Sequence, residues 1–166
     1  VATDFEEISA VITARHRKEV AQRSDLPGVG DFVAVRPSGG EGPSTIEAVL
    51  PRTTALVRKA AGEQRPQLIA ANVDVIFIVT ALDRDFNLQR LERYLALVRD
   101  SGARPIIVAN KSDLRHNEAE TTDQIARIAP DVPVHAISAR GTKGVGELER
   151  YFDGNRTIVL VGSSGV

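Results

Sequence analysis

Asn110-Lys111-Ser112-Asp113 stands directly after Ile106-Ile107-Val108-Ala109, an apolar run rich in β-branched residues. An aspartate carboxylate can accept two parallel N–H bonds from the edge of a guanine base, an asparagine amide can donate to its ring nitrogen and oxygen acceptors, and a lysine stem can lie on the base plane. Adenine offers an acceptor where guanine offers that N–H, so Asp113 would face it unpaired. Mismatches of this kind discriminate by on the order of a thousandfold or more. The same four residues also suit a turn with a helix cap, a role that Ser112 and Asp113 favour.

Two further segments gain meaning from their place in the chain. Ser138-Ala139-Arg140 follows Val134 to Ile137; small residues there let the backbone approach a planar ligand, and an amide N–H can bond the guanine carbonyl oxygen. Gly162-Ser163-Ser164-Gly165-Val166 follows Thr157 to Val161. A strand running into a glycine turn is how phosphate-binding loops begin, because glycine permits positive φ and successive N–H groups then point at one anion. The full pattern needs Gly, Lys and Ser or Thr next. No group is assigned to catalysis or to a metal: His16, His116 and His135 lack partners at triad or ligand spacing and read as solvated or capping residues. Asp83, Arg84 and Asp85 suit a turn before a helix, Arg90, Glu92, Arg93 and Arg99 a solvated helix face, and Tyr94, Tyr151 and Phe152 core positions.

The elements that must position these residues fall into two regions. From Ile8 to about Lys59 the pattern is period two with frequent turns: Ile8 to Ala14, Phe32 to Val35, Thr45 to Val49 and Ala55 to Arg58 read as short strands with no helix among them, hence a small β-barrel or sandwich. Residues 60–70 are polar at first, contain Gly62 and Pro66, and read as a linker. Across 71–166 strand and helix alternate. Val75 to Thr80 and Ile106 to Ala109 are buried strands, Leu88, Leu91, Leu95 and Val98 mark a helix with Asn87 as N-cap and Gly102 past its end, and Ala119 to Ala129 is a weaker helix. Val134 to Ile137 and Thr157 to Val161 are strands flanking a helix with Val145, Leu148 and Phe152 on one face. Such alternation predicts a parallel sheet with right-handed crossovers, whose ligands bind beyond the carboxyl ends of the strands.

Composition constrains the class. The chain has 166 residues, 42% apolar and 26% charged, with no cysteine, no methionine and a net charge of -1. A packed core is expected, and disulfides and thiolate metal sites are excluded. No apolar run approaches a membrane span and the N-terminus lacks a signal peptide's regions, which makes the cytoplasm the expected address. The ending at Val161 to Val166 reads as a cut within a longer chain.

The order of motifs, base recognition before phosphate loop, is that of a circular permutation. With the preceding β-region it resembles the ribosome small-subunit-dependent GTPase A family, the circularly permuted GTPases of bacteria and plastids. The resemblance rests on Gly30-Asp31 before Val33-Ala34-Val35, Ile46 to Arg52, Ala71-Asn72-Val73-Asp74, Asn110 to Asp113, Ser138-Ala139 and Gly162 to Val166. It implies an OB-fold β-barrel over 1–59 that touches ribosomal RNA, with Arg15, Arg17, Arg36, Arg52, Arg58 and Lys59 as phosphate contacts. It also implies a three-layer α/β phosphate-loop GTPase-type domain over 71–166, circularly permuted and incomplete. The implied activity is hydrolysis of GTP to GDP with Mg2+, stimulated by the small ribosomal subunit in late assembly. A structural Zn2+ belongs to a C-terminal domain beyond Val166, and the protein is expected to act as a monomer away from membranes. The nucleotide-contacting residues it implies are Asn110, Lys111, Ser112, Asp113, Ser138, Ala139, Gly162, Ser163, Ser164, Gly165 and Val166. Two other readings stay open: a non-catalytic RNA-binding assembly module with the sheet as scaffold, and another α/β nucleotide enzyme with an Asn-Lys-x-Asp turn. Gly-Lys-Ser or Gly-Lys-Thr directly after Val166 supports the GTPase and any other continuation favours these alternatives, while Asn110, Ser138 and Gly162 on different faces would overturn the GTPase reading.

Overall fold

A computed structural model describes residues 1–20, 23–40, 42–59, 66–84, 86–114 and 118–166. The chain divides into two compact units, Val1–Asn72 and Val73–Val166.

In the first unit, β1 (Ala10–Ile12) runs parallel to β3 (Ser44–Val49), which pairs antiparallel with β2 (Val33–Arg36). A separate hairpin pairs β4 (Ala55–Lys59) with β5 (Pro66–Ala71). No strand pairing among the described residues joins the two sheets into a closed barrel. The predicted strand from Ile8 to Ala14 shrinks to three residues and gives way to α1 (Ala14–Glu19), started by Arg17 N–H donating to the Thr13 carbonyl at 3.0 Å. Arg, Lys and Glu are good helix formers, and a short alternation cannot outweigh them. Residues 66–70 are strand rather than linker: Leu68 and Ala70 pair with Val57 and Leu56, an alternation too short to stand out beside Pro66. Residues 60–65 lie outside the described residues.

The second unit is a four-stranded parallel sheet in the order β8-β7-β6-β9, formed by β6 (Val75–Ala81), β7 (Arg104–Asn110), β8 (Val134–Ala136) and β9 (Ile158–Gly162). α2 (Leu88–Ser101) and α3 (Glu118–Ile128) are the crossovers between β6, β7 and β8. α2 starts at Asn87, whose side chain accepts from Arg90 N–H, and stops at Gly102 in the left-handed region at φ 81°. It buries Leu91, Leu95 and Val98, packs on β6 and β7, and touches α3. On the other face Val75, Phe77, Ile106 and Val108 form a core with Leu148 and Tyr151. Those last two belong to a 3-10 helix, Val145–Tyr151, where the spacing had predicted an α-helix. Gly146 weakens α-helix there. The result is three layers, with successive side chains of β6 and β7 serving opposite faces.

Tyr151 is core as expected, its ring edge-on to Phe77 at 5.7 Å, whereas Phe152 is exposed. His135 departs from its solvated or capping reading. It is buried, with Nδ1 2.9 Å from Glu147 Oε2 and Nε2 2.9 Å from the Tyr151 hydroxyl, so it ties β8 to the 3-10 helix. His116 lies outside the described residues.

Candidate functional site: the carboxyl edge of the parallel sheet

Strand register determines which loops meet. Asn110 pairs with Ala81 at the end of β7, Ala136 with Ala109 at the end of β8, and Gly162 with Val79 at the end of β9. All four strands are parallel, so the segments that follow them emerge at one edge. The three predicted segments converge there.

Side chains then tie the segments together. Asn110 Oδ1 accepts from the Ala139 N–H at 3.0 Å, and Ser112 N–H donates to the Ile137 carbonyl at 3.0 Å. Lys111 takes φ 62°, in the left-handed region. Its Nζ donates to Asp83 Oδ2 at 2.8 Å and to the Gly165 carbonyl, bridging the turn after β7 to the glycine turn after β9. Non-glycine residues hold positive φ where surrounding contacts over-determine them, a pattern concentrated at functional sites. Asp83, read from sequence as a plain turn residue, is thus an ion-pair partner within the site. Asp85 lies outside the described residues.

Of the amides in Ser138-Ala139-Arg140, one of which is expected to bond the base carbonyl oxygen, two have partners within the protein. Ser138 N–H donates to the Lys143 carbonyl and Ala139 N–H to Asn110, so both are engaged within the protein. The Ala139 N–H thus holds the Asn110 side chain by its oxygen, leaving the amide N–H2 as that side chain's donor. Ser112 is buried and its Oγ has no hydrogen-bond partner among the described residues; its tie to Ile137 is through the backbone. Ser112 therefore links the two loops through its backbone.

Asp113 is exposed at the end of the turn. A hydrogen bond from the Ser138 hydroxyl holds its carboxyl below the ordinary value of 3.8; desolvation opposes this, and its own backbone N–H and the charges of Arg140 and Lys143 add to it. The group stays an acceptor-only carboxylate through the neutral range, as pairing with two N–H groups requires. With the folded value below the unfolded one, its contribution to stability is complete above the unfolded value and is lost as pH falls through the folded one. An NMR titration of the Asp113 carboxyl carbon is expected to give a midpoint below 3.8, moving up when Ser138 is replaced by Ala. A midpoint at or above the ordinary value contradicts this arrangement.

The glycine turn is shaped by close approach. A Cβ on Gly162 would stand 2.5 Å from the Val79 carbonyl oxygen, so β9 can end against β6 only with glycine there, and Gly165 takes φ 79°. Ser164 is exposed. Sequence reasoning missed two contacts to this turn from α2: Arg90 donates to Ser163 Oγ at 2.9 Å, and the Tyr94 hydroxyl donates to the Gly162 carbonyl at 3.0 Å. Helical spacing alone placed Arg90 in solvent and Tyr94 in the core; both are half-buried. The only signal in sequence was their i, i+4 spacing on a helix that follows β6. Below the edge, on the sheet face that carries Phe77 and Val108, lies a cleft of about 350 Å3 rimmed by Asn110, Ala139, Gly162, Ser163 and Val166.

A parallel α/β sheet with chemistry-bearing loops at its carboxyl edge, ordered with the glycine turn last, defines the class of circularly permuted nucleotide-binding folds. The sequence profile of the RsgA GTPase family matches residues 49–166, and the chain belongs to that family. It is 45% identical to a "Small ribosomal subunit biogenesis GTPase RsgA" of Opitutus terrae, over 96% of this chain and 46% of that protein. A protein of the same name from Methanosarcina acetivorans is 48% identical, over 95% of this chain and 43% of that one. The chain thus spans about half the length of these relatives. Among solved structures, YjeQ from Thermotoga maritima has the same fold, with a TM-score of 0.69 at 22% identity over 96% of this chain and 53% of that one. YloQ, described as a circularly permuted GTPase, gives 0.58 at 26% identity over 84% and 47% of the two chains.

Proposed function

We propose that the carboxyl edge of the sheet binds a guanine nucleotide and is the base-selecting part of an enzyme that hydrolyses GTP to GDP and phosphate, stimulated by the small ribosomal subunit in late subunit assembly. The observation that carries this reading is the junction of the three loops. Asn110 is held by Ala139, and Lys111 reaches both Asp83 and Gly165. Asp113 supplies the paired acceptor for the base edge, and Asn110 the amide donor. Gly162 to Val166 begin the cradle for the phosphates.

Hydrolysis of GTP is mostly positioning and charge stabilisation. In the full phosphate-loop pattern a lysine and a hydroxyl serve the phosphates and Mg2+; no residue from Gly162 to Val166 is assigned to the metal or to the bond-breaking step. A structural Zn2+ is implied by the resemblance alone; among the described residues no group of three or more His, Asp or Glu side chains gathers to hold a metal ion.

Residues 1–59, in this reading an OB-type domain, face ribosomal RNA. Support comes from the exposure of Arg17 and Arg58 and of the Phe5 and Phe32 rings, which suit phosphates and bases respectively. Arg36 is shared with Glu47 at 2.9 Å. Arg52 is withdrawn from the set of RNA contacts: its guanidinium is held by Asp31, Ser24 and Leu26. Arg15 and Lys59 have side chains outside the described ones. No helix among the described residues is long and apolar enough to cross a membrane, and the reading places a monomer in the cytoplasm, where ribosomal subunits are assembled.

The test is phosphate release by a family-length protein carrying this sequence, with and without purified small subunits. A strong rise with GTP and none with ATP is expected. Equal turnover of the two nucleotides refutes the base site, and GTP turnover indifferent to the subunit refutes the ribosomal role.

A further inference from the structure

Arg90 and Tyr94 lie one helical turn apart on α2 and reach successive residues of the glycine turn, Ser163 and Gly162. Both contacts cross between elements 68 or more residues apart in sequence, so the fold and not local chain geometry brings them together. Neither residue touches the base-recognition turn in these bonds. On the opposite side the same turn is held by Lys111 through the Gly165 carbonyl. The first and fourth residues of the turn are therefore fastened from two different elements, α2 and the turn after β7.

From this geometry we infer that Arg90 and Tyr94 are positioning residues for the nucleotide's phosphates, clamping the start of the phosphate loop to α2. The inference rests on the phosphate-loop assignment of Gly162 to Val166. Its physical basis is preorganisation. A glycine-rich turn has many backbone conformations, and only those with its N–H groups turned inward can hold an anion. Fixing the Gly162 carbonyl outward on Tyr94 sets the orientation of the peptide whose N–H belongs to Ser163. Arg90 acts on the same residue through its side chain. Because Ser163 Oγ accepts from the guanidinium, its single hydrogen is left to donate elsewhere, and a phosphate oxygen is an acceptor that the adjacent positive charge also favours. α2 is anchored at its start by the Asn87 cap and along its length by Leu91, Leu95 and Val98, which makes it a rigid support for the clamp.

The readout is the ratio of GDP to guanosine affinity in a family-length protein carrying this sequence, since guanosine has the base without the phosphates. Tyr94→Phe removes one hydrogen bond and keeps the ring; Arg90→Met removes the charge and keeps the stem. The double variant is expected to lose about tenfold in GDP affinity while guanosine binding changes less than about twofold. Arg90→Lys, which can still donate to Ser163, is expected to recover part of the loss. Unchanged GDP affinity overturns the clamp, and so does equal weakening of GDP and guanosine, which would make the two residues only structural. If the unsubstituted protein binds guanosine as tightly as GDP, the phosphate-loop assignment fails and the clamp falls with it. That outcome is distinct, because it appears before any substitution is made.

Discussion

Asp113→Ala in a family-length protein carrying this sequence is expected to abolish the preference for guanine over adenine nucleotides, a loss on the order of a thousandfold in the affinity ratio. Guanine presents two N–H donors on one edge, and an ionised carboxylate is the side chain that accepts both in parallel. A hydrogen bond from the Ser138 hydroxyl lowers the pKa of that carboxylate below its ordinary value, so the acceptor is ionised at neutral pH. Removing it leaves the guanine N–H groups unpaired and removes the penalty that adenine would meet. The substitution is at an exposed residue, so folding is expected to be unaffected and the thermal midpoint to stay near that of the parent. Competition of GDP and ADP for a fluorescent nucleotide measures the ratio; a variant that still strongly prefers GDP refutes the assignment of Asp113. Asn110→Ala serves as a contrast. It breaks the bond that joins the turn after β7 to the Ser138-Ala139 segment, and should weaken both nucleotides without making them equal.

The second large effect lies in the unit Val1–Asn72 and concerns stability. Arg52→Met is expected to destabilise that unit by about 3 kcal/mol, the range found when one partner of a buried ion pair is removed. The Arg52 Nε and a terminal nitrogen donate to the two carboxylate oxygens of Asp31 at 2.7 and 2.8 Å, a bidentate pair. The Asp31 side chain is 1% exposed and that of Arg52 17%. The other donations, to the Ser24 carbonyl at 2.6 Å and the Leu26 carbonyl at 3.1 Å, knit the 3-10 turn Arg23–Asp25 to the start of the following loop. Asp31 also accepts from Gly28 N–H at 2.9 Å. Its hydrogen bonds raise the Arg52 pKa further above its already high value, against the cost of burial. Removing the guanidinium strands a buried carboxylate and frees two carbonyl acceptors at once. Hydrogen exchange of amides within residues 23–59 is the direct measurement, and adding Asp31→Leu to Arg52→Met should restore much of the loss. A change below about 1 kcal/mol would mean the pair behaves as an exposed one.

Periodicity and local chemistry were enough to place the second unit. The β-branched runs of β6 and β7, the Asn87 and Gly102 boundaries of α2 and the alternation of strand with helix define a parallel sheet, because such strands are buried on both faces and need crossovers on them. The site was legible for the same reason: in a parallel sheet every strand end reaches one edge, so motifs found after strands must meet there. The first unit was less legible. Its strands are short, and β5 and α1 were missed because Pro66 and a three-residue alternation are weak signals beside the pairing and helix propensity that decide them.

Sequence by itself therefore determined the order of the motifs, the parallel sheet and the family resemblance, all of which depend on residue types and spacing along the chain. Tertiary structure alone decided how the groups are used. It turned Ser112 inward and gave Ala139 N–H to Asn110. Arg52 went to Asp31 instead of RNA, and Arg90 and Tyr94 were brought to Gly162 and Ser163. Each of these depends on which side chain across a gap of many residues satisfies a donor or acceptor. A hydrogen bond is selected by distance and angle in space, quantities that spacing along a chain does not contain.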